Sequence, residues 1–123
     1  MKRVILGIWL LMLSHSGWAQ TNAMKVESPI VTEKDFVWYV EQKEAWKAQT
    51  QRNPKDETAW LNYYHAAHYM GWWGTGSDSV VRQVMSEMKQ AIPDTYTYNF
   101  CAYRAVGTGH VEETNGDKYA EIA

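Results

Sequence analysis

The chain has one cysteine, Cys101, among 123 residues, so no internal disulfide can form. It has only two phenylalanines, and after position 19 its single leucine is Leu61. An ordinary leucine-rich core is therefore excluded. No apolar run reaches the about 20 residues that a membrane-spanning helix needs. Basic residues are in the minority, 12 against 14 acidic, for a net charge of −2. That balance lacks the basic face a nucleic-acid partner would require. Proline occurs three times, and Pro54 and Pro93 each fall where an amphipathic pattern breaks.

What is present is aromatic. The chain carries seven tryptophans and eight tyrosines. Each aromatic that is buried removes on the order of 150–250 Å² from water. A core built this way relies on rings, valine, alanine and methionine, and its tyrosine hydroxyls need partners or solvent.

Residues 1–19 read as a secretory signal peptide. Lys2 and Arg3 precede the apolar run Val4 to Leu13, and Gly17-Trp18-Ala19 offers small residues for cleavage. Gln20 follows the predicted cut, so no lipid-accepting cysteine stands there. Without Lys2 and Arg3 the net charge is near −4. The expectation is export, to the periplasm or the exterior of the cell, with no stable membrane insertion after cleavage.

Residues 20–31 read as a flexible lead-in, because Pro29 and mixed polar composition argue against a helix. From 32 to 123 the pattern is helical and repeat-like. Thr32-Glu33-Lys34-Asp35 has a capping-box shape, which predicts a first helix from about Glu33 to Arg52. Phe36, Tyr39, Val40 and Trp46 share one side of it. Asn53-Pro54 stops that helix and Asp56 caps the next, from about Glu57 to Met70. Its stripe is Trp60, Tyr63, Tyr64, Ala67 and Gly71. Gly71 to Ser77 is glycine-rich and reads as a loop. Ser77 or Asp78 then caps a third helix to about Ala91, with Val81, Val84, Met85, Met88 and Ile92 inward. A fourth runs from about Thr95 to Val106. There Tyr96, Phe100 and Tyr103 form one stripe, and Cys101, Ala102, Ala105 and Val106 another. A fifth begins at Asp117. The pattern then stops without a polar capping helix, so the expectation is a helical array incomplete at its C-terminus.

Two stretches echo one another. Asn53-Pro54-Lys55-Asp56 leads into Trp60-Leu61-Asn62-Tyr63-Tyr64, and Ile92-Pro93-Asp94-Thr95 leads into Tyr98-Asn99-Phe100. The prolines lie 39 residues apart and Asn62 and Asn99 lie 37 apart, periods typical of stacked helix pairs. The segment from Trp46 to Gly71 resembles a tetratricopeptide repeat. That family places a proline eight residues after a late-helix aromatic and a tryptophan six residues further on, as in Trp46, Pro54 and Trp60. Asn115-Gly116-Asp117-Lys118-Tyr119-Ala120 looks similar to the family's inter-helix turn. Tyr64 stands where glycine is usual, Ala67 where tyrosine is usual, and Gln42 and Gln49 replace small alanines. The resemblance implies an all-α fold of stacked antiparallel helix pairs, a fragment of an α-solenoid.

Several residues are candidates for chemistry or contact. His65 and His68 share a helix face and are weak metal candidates, with His110, Glu112 or Glu113 as a conceivable third ligand. The simpler reading is two polar histidines beside an aromatic stripe, so no metal and no cofactor are expected. Trp72-Trp73 between glycines offers flat aromatic surface for a protein or a sugar, unless one ring plugs the space between the second and third helices. Cys101 reads as a small buried hydrophobe. Ser77, Ser79 and Ser86 lack a nucleophile-elbow context. Gly74-Thr75-Gly76-Ser77 lacks the lysine and strand of a phosphate loop.

The resemblance implies a protein- or peptide-binding scaffold. Asn62, His65 and Asn99, expected on exposed faces of the second and fourth helices, join Trp72 and Trp73 as candidate contacts. No catalytic residue is assigned and an enzyme is not expected. The alternatives are the helical front of a longer exported enzyme, and a carbohydrate-binding module using Trp72 and Trp73.

Overall fold

A computed structural model describes residues 23–74 and 76–111. The predicted signal peptide, Glu112, Glu113 and the predicted turn and fifth helix around Asn115 to Ile122 lie outside the described residues. Every regular element among the described residues is helical. In order they are α1 (Pro29–Thr32), α2 (Phe36–Arg52), α3 (Glu57–Met70), α4 (Asp78–Ala91) and α5 (Tyr96–Gly107). A short 3₁₀ turn, Gly71–Trp73, continues α3. No described helix is long and apolar enough to cross a membrane.

The caps explain most boundaries. Asp56 accepts from the Ala59 N–H and starts α3, and Thr95 accepts from the Tyr98 N–H and starts α5. The N-terminal region departs from expectation. Asp35, not Thr32, caps α2 by accepting from the Trp38 N–H. Glu33 stands just before it in the left-handed region at φ 54° and cannot be helical there. Pro29 begins a helical turn instead of preventing one. At the first position of a helix its missing N–H costs nothing. Residues 23–28, expected to be flexible, have no regular secondary structure but are docked on α2 and α3, with Val26 buried.

α2 and α3 form an antiparallel hairpin. The start of α2 meets the end of α3, where the Tyr39 and Tyr69 rings lie 5.9 Å apart. At the other end Gln49 Nε2 lies 3.5 Å from Asp56 Oδ2. α4 and α5 pair the same way, since Asp78 at the start of α4 meets His110 just beyond α5. α3 packs against α2, α4 and α5 and is the centre of the fold. The larger core cluster joins Trp60, Tyr63, Tyr64 and Ala67 of α3 to Val81, Val84 and Met88 of α4 and to Tyr98, Cys101 and Ala105 of α5. A smaller one joins Val26, Tyr39, Ala66 and Met70, and Trp46 packs against both.

Most polar groups of this core are paired, and the buried Tyr64 hydroxyl is an exception with no hydrogen-bond partner among the described residues. Tyr63 Oη donates to Glu87 at 3.2 Å, and Trp60 Nε1 donates to the Pro54 carbonyl at 2.8 Å. Lys55 Nζ donates to the Ala91 carbonyl at 2.5 Å, a cation at the C-terminus of α4. Asn62 and Asn99 make the same local bond. Each Nδ2 donates to the carbonyl four residues earlier, of Thr58 and Thr95.

Candidate functional site

The exposed contacts expected at Asn62 and Asn99 are corrected by burial: the two residues are 6% and 7% exposed. Asn62 nevertheless makes a contact of the kind a binding residue makes. Its Oδ1 accepts from the main-chain N–H of Val26 at 2.8 Å. Gln42, facing it from α2, accepts from the Met24 N–H at 2.7 Å. Trp46 Nε1 donates to the Met24 carbonyl at 2.8 Å, and Tyr39 Oη donates to the Glu27 carbonyl at 2.6 Å. Burial raises the Tyr39 pKa, so its hydroxyl stays protonated and donating. The two helices thus hold residues 23–28 as a strap, gripping main-chain atoms while Val26 enters the apolar layer.

Magnitudes show how firmly the strap is held. The four hydrogen bonds contribute about 1 kcal/mol each. Burying Val26 contributes about 2 kcal/mol. Beside the strap lies a hollow of about 680 Å³. Val31, Trp46, Leu61 and Tyr69 supply apolar lining, and Thr58 and His65 contribute polar groups.

The Trp72-Trp73 pair divides in two. Trp72 is 55% exposed. Trp73 is 39% exposed and turns back on the start of α2, with its ring 6.1 Å from Phe36 and 5.6 Å from Tyr39. It does not plug the space between α3 and α4.

His65 and His68 also separate. His65 Nε2 accepts from Arg104 Nη1 at 2.9 Å, a contact from α3 to α5. His68 Nδ1 lies 3.1 Å from His110 Nε2, and His110 Nδ1 lies 2.6 Å from Asp78 Oδ1. A carboxylate only accepts, so His110 donates from Nδ1; in its neutral form it accepts at Nε2, which makes His68 the donor. Burial, then the Arg104 charge, lowers the pKa of both His65 and His68 to about 4. The line Asp78–His110–His68 fixes tautomers and ties α3, α4 and the segment after α5 together. Among the described residues no group of three or more His, Cys, Asp or Glu side chains is placed to hold a metal.

Cys101 is buried, which pushes its thiol up to about 12 and leaves it in the neutral form. Ser77 is buried at the start of α4, and its side chain makes no capping bond.

Gln42, Trp46 and the strap form the part of this site that sequence reading did not assign. The available signals were Gln42 in place of a small residue, and Val26 as a lone branched apolar residue between Lys25 and Glu27. Comparison with protein-family models, with curated proteins and with solved structures found no match.

Proposed function

We propose that this chain is an exported scaffold of the helical-repeat type that binds a segment of another protein in extended form. The supporting observation is the pair Gln42 and Asn62. Two side-chain amides on facing helices hold consecutive alternate N–H groups of one main-chain segment, at Met24 and Val26. Peptide grooves commonly draw affinity from main-chain bonds and selectivity from side-chain pockets. Here the pockets are the Val26 seat and the hollow beside it.

The tetratricopeptide resemblance supports the same reading, since stacked helix pairs offer extended binding surfaces. Export rests on the basic start, short apolar run and small residues of positions 1–19. The sugar-binding alternative has less support. Trp72 offers an exposed indole, but the Trp73 ring is engaged with Phe36 and Tyr39.

The test is selection of displayed random peptides on the full chain and on its Val26→Asp variant. Enriched peptides should share an apolar anchor and lose binding when Asn62 becomes alanine. Peptides that bind the Asn62→Ala chain equally well would remove the groove from the reading. No enrichment on either folded chain would remove peptide binding altogether.

A further inference from the structure

The groove between α2 and α3 is occupied by the chain itself, and the fit is incomplete. The strap fills one seat with Val26, which also borders the neighbouring hollow, and adds Ala23, Lys25, Glu27 and Ser28 to that hollow's lining. None of these is a large apolar side chain, although Trp46, Leu61 and Tyr69 face the same space. Lys25 and Glu27 pair with each other at 3.1 Å, with the Lys25 side chain well exposed. The seat therefore selects for one residue of the strap and leaves its neighbours unread.

The four bonds that hold the strap go to main-chain N–H and C=O groups of Met24, Val26 and Glu27. Any extended segment carries the same groups at the same spacing. The strap is joined to α2 through the single turn α1 and Glu33, a non-glycine residue at φ 54°. Ile30 and Val31 on that turn are exposed. The connection is short, and Thr32 Oγ1 ties it to α2 at 2.9 Å from Tyr39 Oη; Glu33 supplies a place about which the strap can swing once that contact opens.

Resting on the peptide-binding reading above, we propose that residues 23–28 are a built-in competitor for this groove. The external ligand is an extended segment of another protein. It carries a branched aliphatic residue in the place of Val26 and a leucine-sized or aromatic residue one position away, where the strap has only Lys25. The external segment repeats the main-chain bonds and adds apolar contact in the hollow. It thereby overcomes the advantage that tethering gives the strap. Binding is gated: a weak segment loses to the strap and a well-matched one displaces it.

The experiment uses the full chain and two labelled synthetic peptides, followed by fluorescence polarisation. One peptide has the sequence of residues 23–31, and the other is the same with Lys25→Leu. The receptors are the wild type, Val26→Asp and Val26→Ala, each shown folded by near-ultraviolet circular dichroism. Releasing the strap removes a competitor at high effective concentration, so the first peptide should bind Val26→Asp at least about tenfold more tightly than wild type. Val26→Ala should fall between them. The Lys25→Leu peptide should bind every receptor more tightly than the first peptide does, and Asn62→Ala in the Val26→Asp chain should weaken both.

Equal binding to wild type and Val26→Asp would overturn the competitor while leaving peptide binding intact. Absence of binding to folded Val26→Asp, for these peptides and for displayed ones, would overturn both. Unfolding of both Val26 variants would make the strap a permanent cap and end the proposal. A concentration-dependent wild-type dimer in sedimentation, lost in Val26→Asp, would assign the groove to a second copy and overturn the external ligand.

Discussion

The side-chain carbonyl of Asn62 accepts the main-chain N–H of Val26 at 2.8 Å across 36 residues of sequence. The same side chain donates to the Thr58 carbonyl, which orients the amide and presents its oxygen to the strap. Replacing Asn62 by alanine removes both bonds and leaves the buried Val26 N–H without its acceptor. The expected cost is about 1–3 kcal/mol, read as a lower urea midpoint. The strap should also loosen, so trypsin cleavage after Lys25 should quicken more than cleavage after Lys89. Equal acceleration at both sites would mean global destabilisation without release of the strap.

The adjacent tryptophans should respond differently. Trp72→Ala removes an exposed ring and should change stability by no more than about 0.5 kcal/mol. Trp73→Ala removes ring contacts with Phe36 and Tyr39, worth about 0.5–1.5 kcal/mol per aromatic pair. It should destabilise by about 1–3 kcal/mol. Thermal denaturation of the two single variants checks this, and equal losses would contradict the division of the pair.

Local grammar made much of this fold legible. Pro54 and Asp56 mark the start of α3, and Val81, Val84, Met85 and Met88 define the inward face of α4 before any packing is known. The capping-box shape of Thr32 to Asp35 places the start of α2 at about Glu33, three residues before its observed start. The cap fell to Asp35 once Glu33 took a left-handed conformation. The strap has only a faint local signature, the isolated Val26 between Lys25 and Glu27. Its bonds join residues 18 and 36 apart through side chains, and no periodicity reports such contacts. The helical pattern predicts Asn62 to be an exposed contact. It is buried, and its contact is with the chain's own main chain. The histidine pair reads in the same way. Spacing shows that His65 and His68 share a face, but Arg104 and His110, brought by another part of the chain, decide what each does.

Those two histidines make stability depend on pH in a defined direction. Burial and the neighbouring Arg104 charge hold both at about 4, below the ordinary 6.5. Between these values the unfolded chain binds protons that the folded chain refuses. Their contribution to stability is therefore full above about pH 6.5 and falls as the pH drops towards 4. The melting temperature should fall by several degrees over that interval, at about 4–8 °C for each kcal/mol lost. His68→Gln keeps a side-chain donor for His110 and removes one titrating group, so its profile should be distinctly flatter. A profile as steep as that of the wild type would place the pH response elsewhere.

The turn between α3 and α4 is set by a close approach. A Cβ built on Gly71 would lie 2.5 Å from Ser77 Oγ and 3.4 Å from Ser77 Cβ. The first separation is too short and the second is an ordinary contact. Ser77 is buried, so its hydroxyl has little room to yield. Gly71→Ala should thus destabilise by about 1–3 kcal/mol through overpacking. Ser77→Ala in the same chain removes the offending oxygen and should restore most of that loss. The two changes should be strongly non-additive in urea denaturation, because residues in direct contact couple. If the losses simply add, crowding at Ser77 is not the reason a glycine stands at position 71. Backbone freedom within the 3₁₀ turn would then be the cause. Gly71 itself sits at φ −66°, a conformation open to any residue, so that second explanation starts at a disadvantage.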